Sequence, residues 1–340
     1  MRILVLGGGW FLGKALVAEA LLAGHDVTVF NRGKTSGPDP EGVTAIHGDR
    51  NKDVDLATLA TAGPFDAVID TSGQVPRSVL ASARALEAAG RYVFISSVSA
   101  YAGWPMQPLT EDSPVLQCPS DAGEDAGYNG PEGYPTTYGF CKAGCENAVR
   151  EVFDVRATIL RPGVILGPWE YVGRGRWWLR RIAAGGRVLA PGRPDQPIQP
   201  IDVRDATAFA LHTVTAGIGG AFNLTAPGDA ATFGSFLAAC KKATGSSAEL
   251  VWVADRVLTE HQVKQWTELP LWRTTPGAWR VSADKASAAG LRCRPLEQTV
   301  ADTWSWLESG AAAIEHERAG ELGIDPAKEA AILAANPRST

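Results

Sequence analysis

Cysteine is scarce and unpatterned: Cys118, Cys141, Cys145, Cys240 and Cys293 make an odd set of five with no C-x-x-C among them. Neither a disulfide framework nor a zinc knuckle follows from that spacing, and no metal site is expected. A reducing cytoplasm is the expected setting. Long apolar runs are missing too, since no stretch approaches the roughly 18 residues of a membrane span. The apolar N-terminus is interrupted by Lys14 and lacks a small-residue cleavage pattern, so it reads as a first strand and not as a signal sequence. An excess of one charge is absent as well. Lys and Arg total 32 against 37 Asp and Glu, and the net charge of −5 gives no global case for nucleic acid or an anionic membrane. There is no internal repeat and no low-complexity tract. What is present is 340 residues, 45% hydrophobic and 20% charged, the profile of a soluble globular protein whose core needs no staples.

The N-terminal half alternates short apolar blocks (Ile3–Leu6, Val27–Phe30, Ala67–Asp70, Tyr92–Ser96) with helical ones (Phe11–Ala23, Leu56–Ala62, Val79–Ala89). That order predicts a parallel sheet flanked by helices, and Gly24 and Gly90 close two of the helices as left-handed caps do. A helix over about Thr137–Val152 and a buried strand Ala157–Leu160 follow. Asp205–Thr215 reads as helix, Ala221–Leu224 as strand, and the remainder as mostly helical, with a last helix starting at Asp325-Pro326.

Two stretches carry no periodicity. Tyr101–Pro135, with six prolines among glycines and acidic residues, reads as a long loop, and loops of that length are uncommon unless functional. Gly163–Pro200 reads as a second irregular stretch. Its Arg174, Arg176 and Arg180, before and within an expected helix, could meet a substrate carboxylate or phosphate, but solvated surface charge is the preferred reading. Eight of the 11 tryptophans lie after residue 170. Core packing of a C-terminal lobe accounts for most; the candidates for an aromatic-walled pocket are Trp104, Trp169, Trp177 and Trp178, ahead of the helical Trp304 and Trp306.

Directly after the first strand comes Gly7-Gly8-Gly9-Trp10-Phe11-Leu12-Gly13 and then a helix. Such a turn brings backbone close to a pyrophosphate, and the helix N-terminus offers free N–H groups with partial positive charge. About 20 residues on, where dinucleotide folds read the ribose, the chain has Asn31-Arg32-Gly33-Lys34 and no acid. An acid there would repel a 2′-phosphate, whereas Arg32 can pair with one, with Lys34 nearby, so NADP(H) is predicted over NAD(H).

Tyr138 and Lys142 stand four apart on the predicted helix and share a face. A phenol beside an ammonium has its ionised form favoured, which suits it to pass a proton to or from a carbonyl or alcohol oxygen. Tyr134 lacks this arrangement, having Tyr138 at its plus-four position. Upstream, Tyr92–Ser96 runs into hydroxyl residues, placing Ser97 at the carboxyl end of the sheet, where open α/β sheets bind ligands. Ser96 and Ser99 read as local turn hydrogen bonders.

Taken in order and spacing, these motifs resemble an extended short-chain dehydrogenase/reductase of the NAD-dependent epimerase/dehydratase family. His47-Gly48-Asp49, Ile69–Gly73, Leu160-Arg161-Pro162-Gly163 with Gly167-Pro168, and Pro200–Asp205 extend the likeness over nearly the whole chain. The resemblance implies that Tyr138 is the acid/base, that Lys142 favours its ionised form and bonds the nicotinamide ribose, and that Ser97 positions the reacting oxygen. It implies cofactor contacts from Gly7, Gly9, Trp10, Phe11 and Leu12, from Asn31 and Arg32, from Asp49 at the adenine with Arg50 beside it, from Thr71, Ser72 and Gly73, and from Pro162. It also raises a homodimer through a four-helix interface that would include the Tyr138–Val152 helix. Departures narrow the chemistry. Trp10 stands at the family's middle glycine; Val98 and Ser99 replace the Asp-Glu pair that sugar-nucleotide dehydratases use for elimination; and Pro197-Ile198-Gln199-Pro200 lacks the Arg that holds a nucleotide diphosphate.

The expected architecture is therefore α/β, a doubly wound parallel-sheet Rossmann domain with a smaller, mainly helical C-terminal substrate lobe. Residues 1–165 plus about 198–225 would bind the dinucleotide, and about 166–197 plus 226–340 the substrate. The expected activity is NADP(H)-dependent carbonyl reduction or alcohol oxidation on a small metabolite, an aromatic one in view, with no nucleic-acid or membrane partner. An epimerase without net redox change and a non-catalytic nucleotide binder are the rivals.

Overall fold

A computed structural model of the chain describes residues 1–34, 41–127, 136–310 and 316–336. Among these, seven strands form one parallel sheet: β1 (Arg2–Leu6), β2 (Asp26–Asn31), β3 (Val43–His47), β4 (Ala67–Asp70), β5 (Arg91–Ile95), β6 (Ala157–Pro162) and, later in the chain, Gly220–Leu224. β7 (Ile165–Leu166), β8 (Arg187–Pro191) and β9 (Ile201–Asp202) intervene, which makes Gly220–Leu224 β10, and β11 is Glu249–Val253. The order β10-β6-β5-β4-β1-β2-β3 grows outward from β1 in both directions. The crevice between β1 and β4, where the winding reverses, is where such sheets take a ligand.

Strand alternation builds two cores. Ile3 and Val5, Ile69, and Val93 and Ile95 point to the face covered by α1 (Phe11–Leu22) and by a later helix, Val203–Thr215; Leu4 and Leu6, Val68, and Tyr92 and Phe94 point to the other. On that second face lie α2 (Asp53–Thr61), α3 (Pro76–Ala85) and α4 (Thr137–Phe153). A sheet buried on both sides needs apolar residues at consecutive positions, which is why these strands read as short unbroken apolar blocks.

The Gly163–Pro200 stretch is not irregular. It contains β7, β8 and the helix α5 (Arg174–Ala183), whose Trp178, Leu179 and Ile182 are fully buried. After α6 (Val203–Thr215) and β10 come α7 (Phe233–Thr244), α8 (Asp255–Glu260), α9 (Asp284–Ala288), α10 (Leu296–Glu308) and α11 (Pro326–Ala335). α5, α7, α10 and α11 enclose a separate core around Trp178, Phe233, Phe236 and Ile332. This region is not purely helical, because β11 pairs in parallel with β8.

The described part of the long loop, 101–127, is irregular as expected but tied down at several points. Tyr101 bridges Val115, Leu109 exchanges hydrogen bonds with Arg280 and Ser282 (both 2.8 Å), and the buried Tyr101 hydroxyl donates to Asn223 Oδ1 at 2.8 Å. Tyr134 and the loop's Pro131 and Pro135 lie outside the described residues. No described helix is long and apolar enough to cross a membrane.

Candidate active site

The glycine turn forms the floor of a cavity of about 1090 Å3. Gly7 (φ +111°) and Gly8 (φ +86°) hold backbone that L side chains rarely adopt. A Cβ on Gly13 would lie 2.6 Å from the Gly8 nitrogen, so α1 begins in direct contact with the turn. Trp10, the N-cap of α1, provides no side-chain cap. The N–H groups of the first helical turn therefore have no intrahelical partner, as an anion site requires. Phe11 adopts φ +33°, a left-handed value unusual for a phenylalanine. Trp10 is 39% exposed, and its indole leans on Tyr171 (centroids 5.6 Å apart) and His316 (5.8 Å).

At the end of β2, Asn31 shapes the turn: its Oδ1 accepts from Gly33 N at 2.7 Å. Arg32 and Lys34 line the cavity, exposed. Arg32 has no hydrogen bond or ion pair to a described residue. Asp49 Oδ1 accepts from Asn51 N (3.0 Å), while its own N–H donates to Asp55 (2.8 Å). Arg50 sits differently from its expected place as a cofactor contact. Although it borders the cavity, its guanidinium is committed to Asp70 (2.7 and 3.2 Å) and to Ser82 Oγ (3.0 and 3.1 Å). Burial alone would raise the Asp70 carboxyl; Arg50, the Ser72 N–H and the Tyr92 hydroxyl outweigh it and hold Asp70 below the usual carboxylate range. Thr71 and Ser72 line the cavity, and Gly73 packs against Phe94 and Val79 with no room for a Cβ.

Ser97, Tyr138 and Lys142 all border this cavity at the carboxyl end of the sheet. Ser97 Oγ accepts from Ser99 N at 3.1 Å, which leaves its O–H free to donate, and Ser99 is the local turn residue expected. Ser96 is not. Its hydroxyl crosses to α4 and donates to Glu146 Oε1 at 2.6 Å, inside a buried network in which Glu146 also holds Arg161 (2.5 and 2.8 Å). Lys142 Nζ donates to the carbonyls of Gly73 (2.7 Å) and Ile95 (2.8 Å) and lies 5.9 Å from the centre of the Tyr138 ring. Tyr138 is 47% exposed. Gly139 was not anticipated from the sequence, although a glycine just inside a helix start is a signal. A Cβ there would fall 2.0 Å from Ser99 O, so only glycine lets α4 press Tyr138 against the Ser97 turn. Gly139→Ala is expected to destabilise the fold by about 1–3 kcal/mol through overpacking. Chemical denaturation reads this, and wild-type stability would mean that the turn yields.

The far wall is aromatic and basic. Trp104 lines it, as expected, but Trp177 and Trp178 do not: Trp178 is fully buried, donates to Pro270 O at 2.7 Å and packs on Trp177. Trp169 instead has Lys14 5.5 Å over its ring. The other aromatic walls are Trp266 and Trp279, brought in from residues far along the chain. Surface charge is also the wrong reading for two of the three arginines. Arg174 borders the cavity, stacked 4.5 Å over Trp266, and Arg176 is buried beside a second, smaller cavity; Arg180 alone is exposed.

With this geometry in hand, comparison with known proteins is specific about ancestry. Residues 3–225 match the model of the NAD dependent epimerase/dehydratase family. A chloroplast stem-loop binding protein of 41 kDa from Arabidopsis thaliana is 29% identical over 224 residues, 61% of this chain and 54% of that protein. A 2′-dehydrokanamycin reductase from Streptomyces kanamyceticus is 33% identical over 111 residues, 33% of this chain and 32% of that enzyme. The match thus spans about half the length of the first relative and a third of the second. A solved UDP-glucose 4-epimerase superposes with a TM-score of 0.70 at 16% identity, over 93% of this chain and 100% of its own, and so shares the fold. A doubly wound sheet, a glycine turn at its switch point and a family match over most of the chain agree: this protein belongs to the NAD dependent epimerase/dehydratase family.

Proposed function

We propose that the protein is an NADP(H)-dependent oxidoreductase acting on the carbonyl or alcohol of a small aromatic metabolite. The observation that carries this reading is the meeting of Ser97, Tyr138 and Lys142 in one cavity with the glycine turn. Residues 1–165 plus about 198–225 would bind the nucleotide, and about 166–197 plus 226–340 the substrate. The residues present fit such a cofactor. The turn at Gly7–Gly13 and the open start of α1 suit a pyrophosphate, Asp49 borders the same cavity and would meet the adenine, and Thr71, Ser72 and Pro162 line it. A bound nicotinamide supplies or accepts the hydride. The chain's own residues do the rest: the Tyr138 hydroxyl gives or takes the proton at the substrate oxygen, Ser97 O–H holds that oxygen, and Lys142 fixes the cofactor's ribose side.

The choice of NADP(H) rests on Arg32, exposed at the end of β2 where no carboxylate stands. Arg32→Ala should weaken NADPH about tenfold and leave NADH unchanged, the loss of one charge-assisted phosphate contact. Paired titrations check it, and equal affinities in wild type and variant would return Arg32 to the solvent.

The epimerase of the family is the second reading, kept in view by the shared fold. Against it, the Pro197-Ile198-Gln199-Pro200 stretch lacks the diphosphate-binding arginine, and its Gln199 is buried, its amide spent on Ala226 O (3.0 Å), Val281 O (2.8 Å) and Val281 N (2.9 Å). Product analysis with a catalytic amount of cofactor separates the two. Many turnovers per cofactor would mean epimerisation.

A further inference from the structure

The substrate end of the cavity is rich in donors and cations and poor in acceptors. Arg174, Arg273 and Arg318 line it, and among the described residues Glu170 is the one carboxylate beside them. Both oxygens of Glu170 are already used, accepting from the backbone nitrogens of Arg174 (2.8 Å) and Gly175 (3.1 Å) at the start of α5. The Arg174 guanidinium has no hydrogen bond to a described residue, and its Nε is buried without a partner. Trp279, 9% exposed, has a buried indole N–H in the same condition. Buried donors left unmade cost free energy and call for an explanation. Here the remaining polar lining cannot supply it, since Gln199 and Thr225 are bonded to backbone.

The charges crowd one another as well. Arg174 and Arg273 both stack on Trp266, 4.5 and 4.0 Å from its centroid, and Arg273 also lies 4.9 Å over Trp104. Burial pushes Arg174 down from its usual value; Glu170 opposes this, and Arg318 and Arg273 add to it. Tyr171 links this wall to the reacting end. Burial raises its hydroxyl, Tyr138 adds to the rise, and Arg318 and Arg174 oppose it, so both ends of the cavity act on this one group.

We infer that the substrate carries an oxyanion, a carboxylate or a phosphate, gripped by Arg174 with the Trp279 N–H as a second donor. The inference rests on the oxidoreductase reading in taking Tyr138 as the reacting end. An oxyanion brings the acceptors and the negative charge that this wall lacks, and a planar guanidinium matches either group in a two-pronged contact. The cation stands on α5 and not in the Pro197-Ile198-Gln199-Pro200 stretch, so it addresses a group placed differently from a nucleotide diphosphate.

The test is isothermal titration of the NADP-saturated protein with benzoate, phenyl phosphate and benzamide, in wild type, Arg174→Gln, Arg174→Lys and Trp279→Phe. At least one anion should bind about tenfold or more tightly than neutral benzamide, the better of the two naming the carboxylate or the phosphate. Arg174→Gln should abolish that preference with NADPH affinity unchanged; Arg174→Lys, which keeps the charge and loses the fork, should retain part of it. Trp279→Phe should lower anion affinity about threefold. Equal binding of the three probes, no anion binding at millimolar concentration, a preference that survives in Arg174→Gln, or a loss of NADPH affinity in its place would each overturn the inference. Should Arg174→Gln fail to fold, the Arg174→Lys and Trp279→Phe arms decide it. Failure of the oxidoreductase reading is seen elsewhere, in full turnover by Tyr138→Phe, and would leave these affinities as measured.

Discussion

Tyr138→Phe is expected to lower turnover roughly a thousandfold, within the range that a positioned acid/base contributes, while NADPH affinity stays within about twofold. The separation follows from what the substitution removes. The ring stays where it is, half exposed on α4, and Gly139 still seats the helix on the Ser97 turn, so neither packing nor the nucleotide crevice is disturbed. Only the hydroxyl proposed to exchange a proton with the substrate oxygen is lost. Transition-state stabilisation alone is removed when kcat and kcat/KM fall together, and that is the pattern expected here. Lys142→Met should behave differently. Its ammonium donates to the carbonyls of Gly73 and Ile95, so the variant strips partners from two backbone oxygens beside the cofactor and should weaken NADPH binding as well as turnover. Undiminished turnover in Tyr138→Phe would remove the proton-transfer role and with it the oxidoreductase reading.

How much of this could be read from the chain depends on the range of the interactions involved. The parallel sheet was legible because strands buried on both faces leave unbroken apolar blocks; of the two glycine caps expected, Gly24 takes left-handed backbone and Gly90 does not. Tyr138 and Lys142 were legible because one helical turn relates them. The walls of the cavity were not. Trp266, Arg273 and Trp279 lie in a stretch without periodicity, where Trp266 and Leu271 adopt left-handed backbone, and they reach Trp104 and Arg174 only through the tertiary fold. The helix expected among Arg174, Arg176 and Arg180 is there as α5, its apolar face carried by Trp178, Leu179 and Ile182. Arg50, expected to meet the cofactor, borders the cavity while its charge is paired with Asp70 on β4.

That pairing supplies the largest effect on stability. Asp70 is fully buried, and its carboxylate accepts from Arg50, from Tyr92 Oη at 2.9 Å and from Ser72 N at 3.0 Å. Asp70→Ala leaves a guanidinium without its counter-charge and a buried phenol without its acceptor, a change that costs about 3–5 kcal/mol when one partner of a buried pair is removed. Urea denaturation should show the midpoint falling with its slope unchanged. The sign of the pH dependence follows from the direction of the shift. Asp70 is held below its ordinary value in the folded chain, so its contribution is fully present above the unfolded carboxylate value of about 3.9 and is lost as pH falls through the folded value. Wild type should therefore lose stability in that acid window by an increment that Asp70→Ala lacks. The same carboxylate orients Ser72, next to the Gly73 carbonyl that Lys142 holds, so the substitution should also weaken NADPH binding without touching the nucleotide. Arg50→Met with Asp70→Leu, removing both charges together, should recover much of the stability, because an apolar pair avoids the desolvation that the ion pair has to overcome. If the double variant is as unstable as Asp70→Ala, the cost lies in Tyr92 and Ser72 losing their acceptor and not in the stranded charge.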